Sequence, residues 1–482
     1  MTIKFERLWG MILLLCFLQS CDKDSLGDVN GAPVAHGDTF SVKEDVDDQT
    51  IIGTIEATDP NGDVLTFDIR SGGNALFEIN SDGEISLAEG KYLDYETVKE
   101  HSLVVMVSDG IIDRFRGVSV KVEDVDEIIA DDPAAFVTTW KTDAANQTIY
   151  IGANEVYDYD FTIDWGDGTV ENISKNSPQL FEHTFSTAGN YTVAIIGDFP
   201  SINMNKVYQM YGDEPLSRMV ALEQWGKTQW KNLEGAFANC YKMKYNATDV
   251  PNLELANSLA GMFLQTSFNA DINDWDTSNI TDMRLMFYNN SKFNQDLNKW
   301  NTSKVTSMEG MFLGAIAFNG DISTWNTSKV TTMLSMFDSA TSFNGDLSNW
   351  DISNAVNTSG MFFGTVLFNA DIGGWDTSNV VDMSGMFSGA TSFDQDLGNW
   401  DIGNVITMEN MLNNSGLSKN NINATLIGWN GFVQQNTGPI GIELGLEGLT
   451  ICGVEAYSAV VELSTIYTWV FTGEASIQEQ CN

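Results

Sequence analysis

The sequence predicts a mainly β protein: two β-sandwich domains, then a solenoid of stacked coils with short helical turns. Three observations carry this. Residues 33–129 and 133–202 are short runs rich in β-formers, split by Gly, Asp and Asn turns. Further on, Phe268, Phe293, Phe318, Phe343, Phe368 and Phe393 recur every 25 residues, and Trp275, Trp300, Trp325, Trp350, Trp375 and Trp400 keep the same step. A repeat of this length marks a solenoid: one coil cannot bury its own apolar side chains, and stacking builds the core. At 482 residues the chain is too long for one compact core.

The N-terminus reads as an address. Residues 1–20 carry Lys4 and Arg7, then an apolar run from Leu8 to Leu18, too short to span a bilayer as a mature helix. Leu18-Gln19-Ser20-Cys21 resembles a bacterial lipobox, with Gln19 an unusual residue in it; the resemblance implies lipidation of Cys21 and removal of 1–20. Ordinary cleavage nearby is the alternative. Residues 21–32 are small and acidic and read as a tether, and acidic residues behind the lipid cysteine resemble a surface-export signal of Bacteroidetes lipoproteins. The expected location is the cell surface, held at the outer membrane by lipid alone. The formal net charge of −42 excludes nucleic acid and anionic membrane surfaces as partners held by attraction.

In 33–129 the runs "QTIIGTIEATD", "VLTFDIRSG", "LFEINSDGEISL", "HSLVVMVSDG" and "FRGVSVKVEDVDE" have the spacing of a sandwich. Glu44, "DPNGD", "LDYE", "SDG" and "VEDVDE" fall in an order that resembles a cadherin repeat. That resemblance implies a calcium site at each end of the domain. Glu44, Asp94, Glu96, Asp124, Asp126 and Glu127 would serve the C-terminal end; Asp59, Asn61 and Asp109 would serve the N-terminal end. Calcium takes six to eight oxygens, which clustered Asp, Glu and Asn supply. The junction reads Asp126-Glu127-Ile128 where cadherins carry Asn-Asp-Asn, and no second such repeat follows. The competing reading is that these are turn aspartates binding no metal.

In 133–202, "YDFTIDWGDGTVENI" and "FEHTFSTAGNYTVAIIG" resemble a PKD-type, immunoglobulin-like sandwich. Trp165 is expected to be buried, Gly166 and Gly168 to take positive φ, and Asp164 and Asp167 to hold the turn rather than do chemistry.

The solenoid is expected over 203–420, with a C-terminal cap over 421–482. In "FNQDLNKWNTSKVTSMEGMF", Phe293, Gln295 and Leu297 alternate as on a strand, "NTSK" is a polar turn, and the spacing of Val305, Met308, Met311 and Phe312 suits a helical or irregular turn better than a strand. A short strand, a turn and a helical segment make a leucine-rich-repeat-like coil. Met286, Met311, Met336, Met361, Met386 and Met411 complete the inward set, with Thr358 standing where other coils have Met. The pattern closely resembles the repeats of BspA-like bacterial surface proteins over 203–482. That resemblance implies adhesion to host cells, matrix proteins, other bacteria or polysaccharide.

A second stripe runs along the repeats. Asp296, Asp321, Asp346 and Asp371 share one coil position, and Asn294, Asn319, Asn344 and Asn369 share another on the same face. Stacked at about 4.8 Å, neighbouring carboxylates repel by about 0.9 kcal/mol even in bulk water. Hydrogen bonds to nearby backbone would offset that; bound cations or a ligand would too. This Asn/Asp face is the candidate binding surface for an extracellular protein or polysaccharide.

Cys452 and Cys481 are placed to staple the C-terminus if they pair, worth roughly 3 kcal/mol. Cys240 reads as a small buried residue. Three histidines (His36, His101 and His183) sit in no nucleophile or metal pattern, and there is no Gly-Lys phosphate loop, HExxH or GxSxG. The expectation is a non-enzymatic adhesin or binding protein. A cell-envelope spacer without a ligand, or a glycan-capturing component of nutrient uptake, are the alternatives.

Overall fold

The computed structural model describes residues 29–73, 75–95, 97–123 and 129–481. Cys21, Glu96, Asp124, Asp126 and Glu127 therefore lie outside the described residues. The chain is mainly β and divides after residue 127 into two compact units, described in turn.

The first unit is a sandwich. Among the described residues its strands are β1 (Val34–Ala35), β2 (Thr39–Lys43), β3 (Gly53–Thr54), β4 (Ala57–Thr58), β5 (Thr66–Ser71), β6 (Phe77–Ile79), β7 (Glu84–Leu87), β8 (Glu100–Ser108) and β9 (Asp113–Glu123). One sheet runs β2-β9-β8-β5, the other β3-β7-β6, and β1 pairs with β4. The period-two pattern decides which face turns inward. Leu103, Val105 and Val107 of β8 and Val118, Val120 and Val122 of β9 meet Phe77, Ile85 and Leu87 across the sandwich.

The second unit opens with β10 (Phe136–Thr142), β11 (Gln147–Gly152), β12 (Asp158–Asp164), β13 (Val170–Asn176), β14 (Leu180–Phe185) and β15 (Gly189–Asp198). Helix α1 (Met204–Tyr211) and strands β16 (Met219–Gln224) and β17 (Lys244–Tyr245) follow. The main sheet runs β13-β12-β15-β10-β16-β17. The boundary read from sequence at 202–203 is thus crossed by one sheet: β16 pairs with β10, and β17 is already part of the first coil. One hydrophobic core continues from Phe136 through the coils to Trp469. Trp165 is buried, Gly166 and Gly168 have φ of 79° and 88°, and Asp164 accepts the Gly166 N–H at 2.8 Å. Asp167 meets His183 Nε2 at 2.8 Å, and the imidazole stacks on Trp165.

The coils are built from turns. Their pairing is a chain of single-residue parallel bridges, Ser258–Asp282–Ser307–Thr332–Asn357–Asp382–Thr407, ending at Met408–Leu444 in the cap. The strand read at 293–297 is not formed; the inter-coil pairing lies at 307, inside the segment read as a helical or irregular turn. Hydrogen bonding explains the difference. Met308, Gly310, Phe312 and Gly314 donate to carbonyls of the next coil, while Met311, Leu313 and Ala315 donate to the residue three back in their own. Gly310 and Gly314 sit at φ 56° and 69°, which breaks any helix after one turn and lets alternate N–H groups face the neighbour.

The inward side chains form continuous ladders. Phe287, Phe312, Phe337, Phe362 and Phe387 stack at 5.5–5.7 Å, and Phe293, Phe318, Phe343, Phe368 and Phe393 at 5.8–6.1 Å. The tryptophans do more than pack. Trp300, Trp325, Trp350, Trp375, Trp400 and Trp429 each donate Nε1–H to a carbonyl of the preceding coil at 2.9–3.2 Å. Thr358, in a methionine column, is buried and spends its hydroxyl on the Asp382 carbonyl.

The cap closes the open end with α2 (Lys419–Asn436), β18 (Glu443–Gly445), β19 (Thr450–Cys452), α3 (Val454–Thr465), β20 (Val470–Thr472) and β21 (Ser476–Gln478). Ser418 caps α2 through the Asn421 N–H. Cys452 and Cys481 are joined as a disulfide, with Cα atoms 5.0 Å apart. Cys240 is a free thiol, fully buried beside Met219, and burial pushes its pKa far up, which leaves it unreactive.

Candidate functional site

Two regions collect the residues singled out from sequence: the loop ends of the first sandwich and the Asn/Asp face of the coils.

At the C-terminal end of the sandwich, Glu44 follows β2 and is 7% exposed. Its Oε2 accepts the Tyr95 N–H at 2.7 Å, and its own N–H donates to the Glu123 carbonyl. Asp94 accepts the Thr97 N–H and hydroxyl, both at 2.8 Å. Glu44 is thus fastened to the loop that carries Asp94, so the structure brings these two predicted ligands to one end. Their four predicted partners there are outside the described residues.

At the N-terminal end the assembly is fuller. Asp59 Oδ1 accepts the N–H groups of Asn61 and Asp63 at 2.7 and 3.2 Å. Asp109 Oδ1 accepts those of Ile112 and Ile111 at 2.6 and 2.7 Å. Asn30 and Gly31, which sequence reasoning missed, tie the two loops together: Asn30 Nδ2 donates to Asp109 Oδ2 at 2.8 Å, and Gly31 N–H to Asn61 Oδ1 at 2.5 Å. The Ile112 N–H, then Ile111 and Asn30, hold the Asp109 carboxyl below its ordinary pKa. Only the position of Asn30 just ahead of β1 hinted at its part; nothing in its spacing marks it as a ligand.

Whether these residues suit calcium is decided by their atoms. Asp59 Oδ2 is buried and has no hydrogen-bond partner among the described residues. An ionised oxygen left in that state is costly unless a cation meets it. The nearby donors, Asp109, Asn61 and Asn30, are hard oxygens suited to calcium and poor for zinc. The set fits in kind. Among the described residues no three His, Cys, Asp or Glu side chains form a metal-binding group, so amide and solvent oxygens would have to complete the coordination.

On the coils, the asparagines are committed to architecture. Oδ1 of Asn269, Asn294, Asn319, Asn344 and Asn369 accepts the N–H of the equivalent residue one coil on, at 2.8–2.9 Å. Asp394 continues the ladder and hands it to the Ser418 N–H at 2.7 Å. The aspartates sit in turns. Asp271, Asp346, Asp371 and Asp396 each accept the N–H two residues ahead, at 2.8–3.1 Å. Asp296 instead accepts the Asp321 N–H, and Asp321 takes the Ser323 N–H and hydroxyl and the Asn298 amide. The Ser323 and Ser348 N–H groups foremost hold Asp321 and Asp346 below the ordinary carboxylate range, although Asp321 repels Asp346. At Asp346, hydrogen bonding therefore outweighs the repulsion from Asp321.

Comparison with known proteins separates the two halves of the chain. A family model described as Cadherin domain matches residues 38–123. A second, described as a Mycoplasma protein of unknown function, DUF285, matches 257–365 and 342–431. Human protocadherin-24 EC1-2 aligns at 24% identity over 30% of this chain and 61% of that fragment, with a TM-score of 0.20. Mouse cadherin-23 EC22-24 aligns at 16% identity over 33% of this chain and 55% of that one, with a TM-score of 0.19. This chain therefore spans about three-fifths of the human fragment or less. No curated protein matches it. The match at 38–123 covers β2 to β9, the strands that carry both loop clusters at their ends.

Proposed function

We propose that the chain is an extracellular, non-catalytic binding protein of the adhesin type, anchored through Cys21 and displaying the second unit to an external protein or polysaccharide. The observation that carries this is the unbroken ladder from the second sandwich to the cap. It holds surface side chains at a fixed spacing along six repeats. The PKD-type turn at Trp165 and the BspA-like repeat wording support the same reading.

The first sandwich is proposed to take calcium at its N-terminal end. Asp59, Asn61, Asp109 and Asn30 would hold the ion. Calcium bound there would offset the charge on Asp59 Oδ2 and cross-link the loops that Asn30 and Gly31 already join.

The test is adhesion of cells that display the full chain to surfaces coated with matrix protein or polysaccharide. Gain of adhesion with the chain, lost with Cys21→Ser, supports the proposal. Surface display with no gain on any coating favours the spacer reading.

A further inference from the structure

One eight-residue segment of the coils alternates in character. It reads "MFLGAIAF" at 311–318, "MFDSATSF" at 336–343, "MFFGTVLF" at 361–368 and "MFSGATSF" at 386–393. The Met and the two Phe that frame it are buried in every coil. The outward positions differ. One coil places Asp338, Thr341 and Ser342 there and another Ser388, Thr391 and Ser392, but the coil between them places Phe363, Val366 and Leu367, all exposed. On the other side of Asp338, Leu313 is half-buried and Ile316 exposed. Packing of the repeat does not require these apolar groups, since adjoining coils fold with Ser and Thr in their places. Apolar side chains gathered on a surface in this way mark a contact site.

Backbone bonds hold the positions in register. The Gly314 N–H donates to the Asp338 carbonyl and the Ser339 N–H to the Phe363 carbonyl, each at 2.7 Å. The Thr341 hydroxyl donates to the Ile316 carbonyl at 3.4 Å. Coils stand 5.6 Å apart along the Phe312, Phe337 and Phe362 ladder. Leu313 and Phe363 therefore flank Asp338 at one coil step each: two apolar ridges with a carboxylate between them. That carboxylate is half-buried, and its Oδ1 accepts the Ser339 hydroxyl at 2.8 Å. Burial pushes its pKa up, Ser339 and Ser335 pull it part of the way back, and no lysine or arginine among the described residues helps them.

We propose that the two ridges and Asp338 form a docking surface for an extracellular protein ligand that presents a lysine or arginine between apolar side chains. The apolar groups would cover Ile316, Leu313, Phe363 and Leu367, and the cation would meet Asp338. Covering the ridges removes the remaining water from the carboxylate, where an ion pair gains most. The surface deepens the binding-protein reading above and rests on it. A second copy of this chain is disfavoured by the net charge of −42 on each. A polysaccharide is disfavoured because it would find a single exposed ring, Phe363, among aliphatic groups that form no hydrogen bonds to hydroxyls.

The experiment titrates the full chain with the peptide acetyl-Ser-Leu-Ser-Lys-Ser-Leu-Ser-amide while following leucine, isoleucine and valine methyl NMR signals. In an extended peptide the Lys and both Leu share one side, about 6.7 Å apart, close to one coil step. Saturable shifts at Leu313, Ile316, Val366 and Leu367 are expected. The analogue with norleucine for lysine should bind about tenfold more weakly. Asp338→Asn, the residue that Asn413 supplies natively in the same column, should weaken the lysine peptide about tenfold and the norleucine peptide by less than about twofold. Phe363→Ser with Val366→Thr and Leu367→Ser gives this coil the outward residues of the next one, so it keeps the fold and abolishes the shifts. Glu409→Gln, a charge change three coils on, moves affinity by less than about twofold. Absence of shifts, equal affinity for the norleucine peptide, shifts that survive the triple variant, or the same shifts from dextran would overturn the proposal. Its failure is separable from that of the adhesin reading. A chain that confers adhesion but shows no peptide shifts keeps the adhesin and loses this surface, whereas peptide binding without adhesion to any coating does the reverse.

Discussion

Replacing Asn294, Asn319 and Asn344 together decides whether the Asn face is architecture or recognition. Each Oδ1 accepts one backbone N–H from the next coil, at 2.8–2.9 Å, in an exposed position. A net hydrogen bond of this kind is worth about 0.5–1.5 kcal/mol, with water able to replace part of it. The triple alanine variant should therefore lose about 1.5–4 kcal/mol, short of strict additivity because the three sites adjoin. The triple aspartate variant keeps the acceptor, as Asp394 does natively at the end of the same ladder, and should lose less than the alanine set despite added charge. Urea unfolding of the full chain, followed by far-UV circular dichroism, reads the difference in the transition of the second unit. If alanine is neutral, or aspartate is the worse of the two, the ladder does not hold the coils and the reasoning fails.

Other consequences follow from particular contacts. Trp325 is 2% exposed and donates to the Leu297 carbonyl at 2.9 Å, so Trp325→Ala should cost about 3–5 kcal/mol. Trp325→Phe should still cost about 1–3 kcal/mol through the orphaned carbonyl; calorimetry showing no loss for the phenylalanine would remove the hydrogen-bond role. Asp276, Asp321, Asp346 and Asp376 are held below their ordinary value of 3.8, foremost by the serine two residues ahead of each. A depressed carboxyl stabilises the fold fully above its unfolded pKa and loses that contribution as pH falls through the folded one. Melting temperature should hold down to about pH 4 and fall below it; a rise there would contradict the assignment. Saturating calcium at about one hundred times Kd should stabilise the first unit by about 2.7 kcal/mol. Chelator should reverse that, and Asp59→Asn should blunt it; a calcium-independent melt would leave Asp59 Oδ2 without its explanation.

Much of the second unit was legible because its signal is periodic. Phe293, Trp300 and Met311 recur at one step, and only stacking buries them. The buried Trp165 turn was legible because Gly166 and Gly168 follow it. What was hidden is the hydrogen bonding. A tryptophan every 25 residues looks the same whether its N–H reaches a carbonyl or not. Met308 and Met311 have helical spacing, yet positive φ at Gly310 and Gly314 turns alternate N–H groups to the neighbouring coil. Asn319 is exposed and polar, as a recognition residue would be, and only the register shows its oxygen occupied. The sheet that joins β10 to β16 was invisible since pairing partners lie about 80 residues apart. At the N-terminal end of the first sandwich, Asp59 and Asp109 were legible from their turns, whereas Asn30 acts through a contact 79 residues away in sequence.

The central claim is that the chain is a binding protein whose ligand-bearing part is the second unit. The direct measurement is surface plasmon resonance of the purified full chain over a panel of matrix proteins and polysaccharides, each with calcium and with chelator. The account predicts saturable binding to one class, retained in chelator and altered by substitutions on the coils. No saturable binding to any member, with the chain folded by circular dichroism, would contradict it and make the repeated coils a spacer.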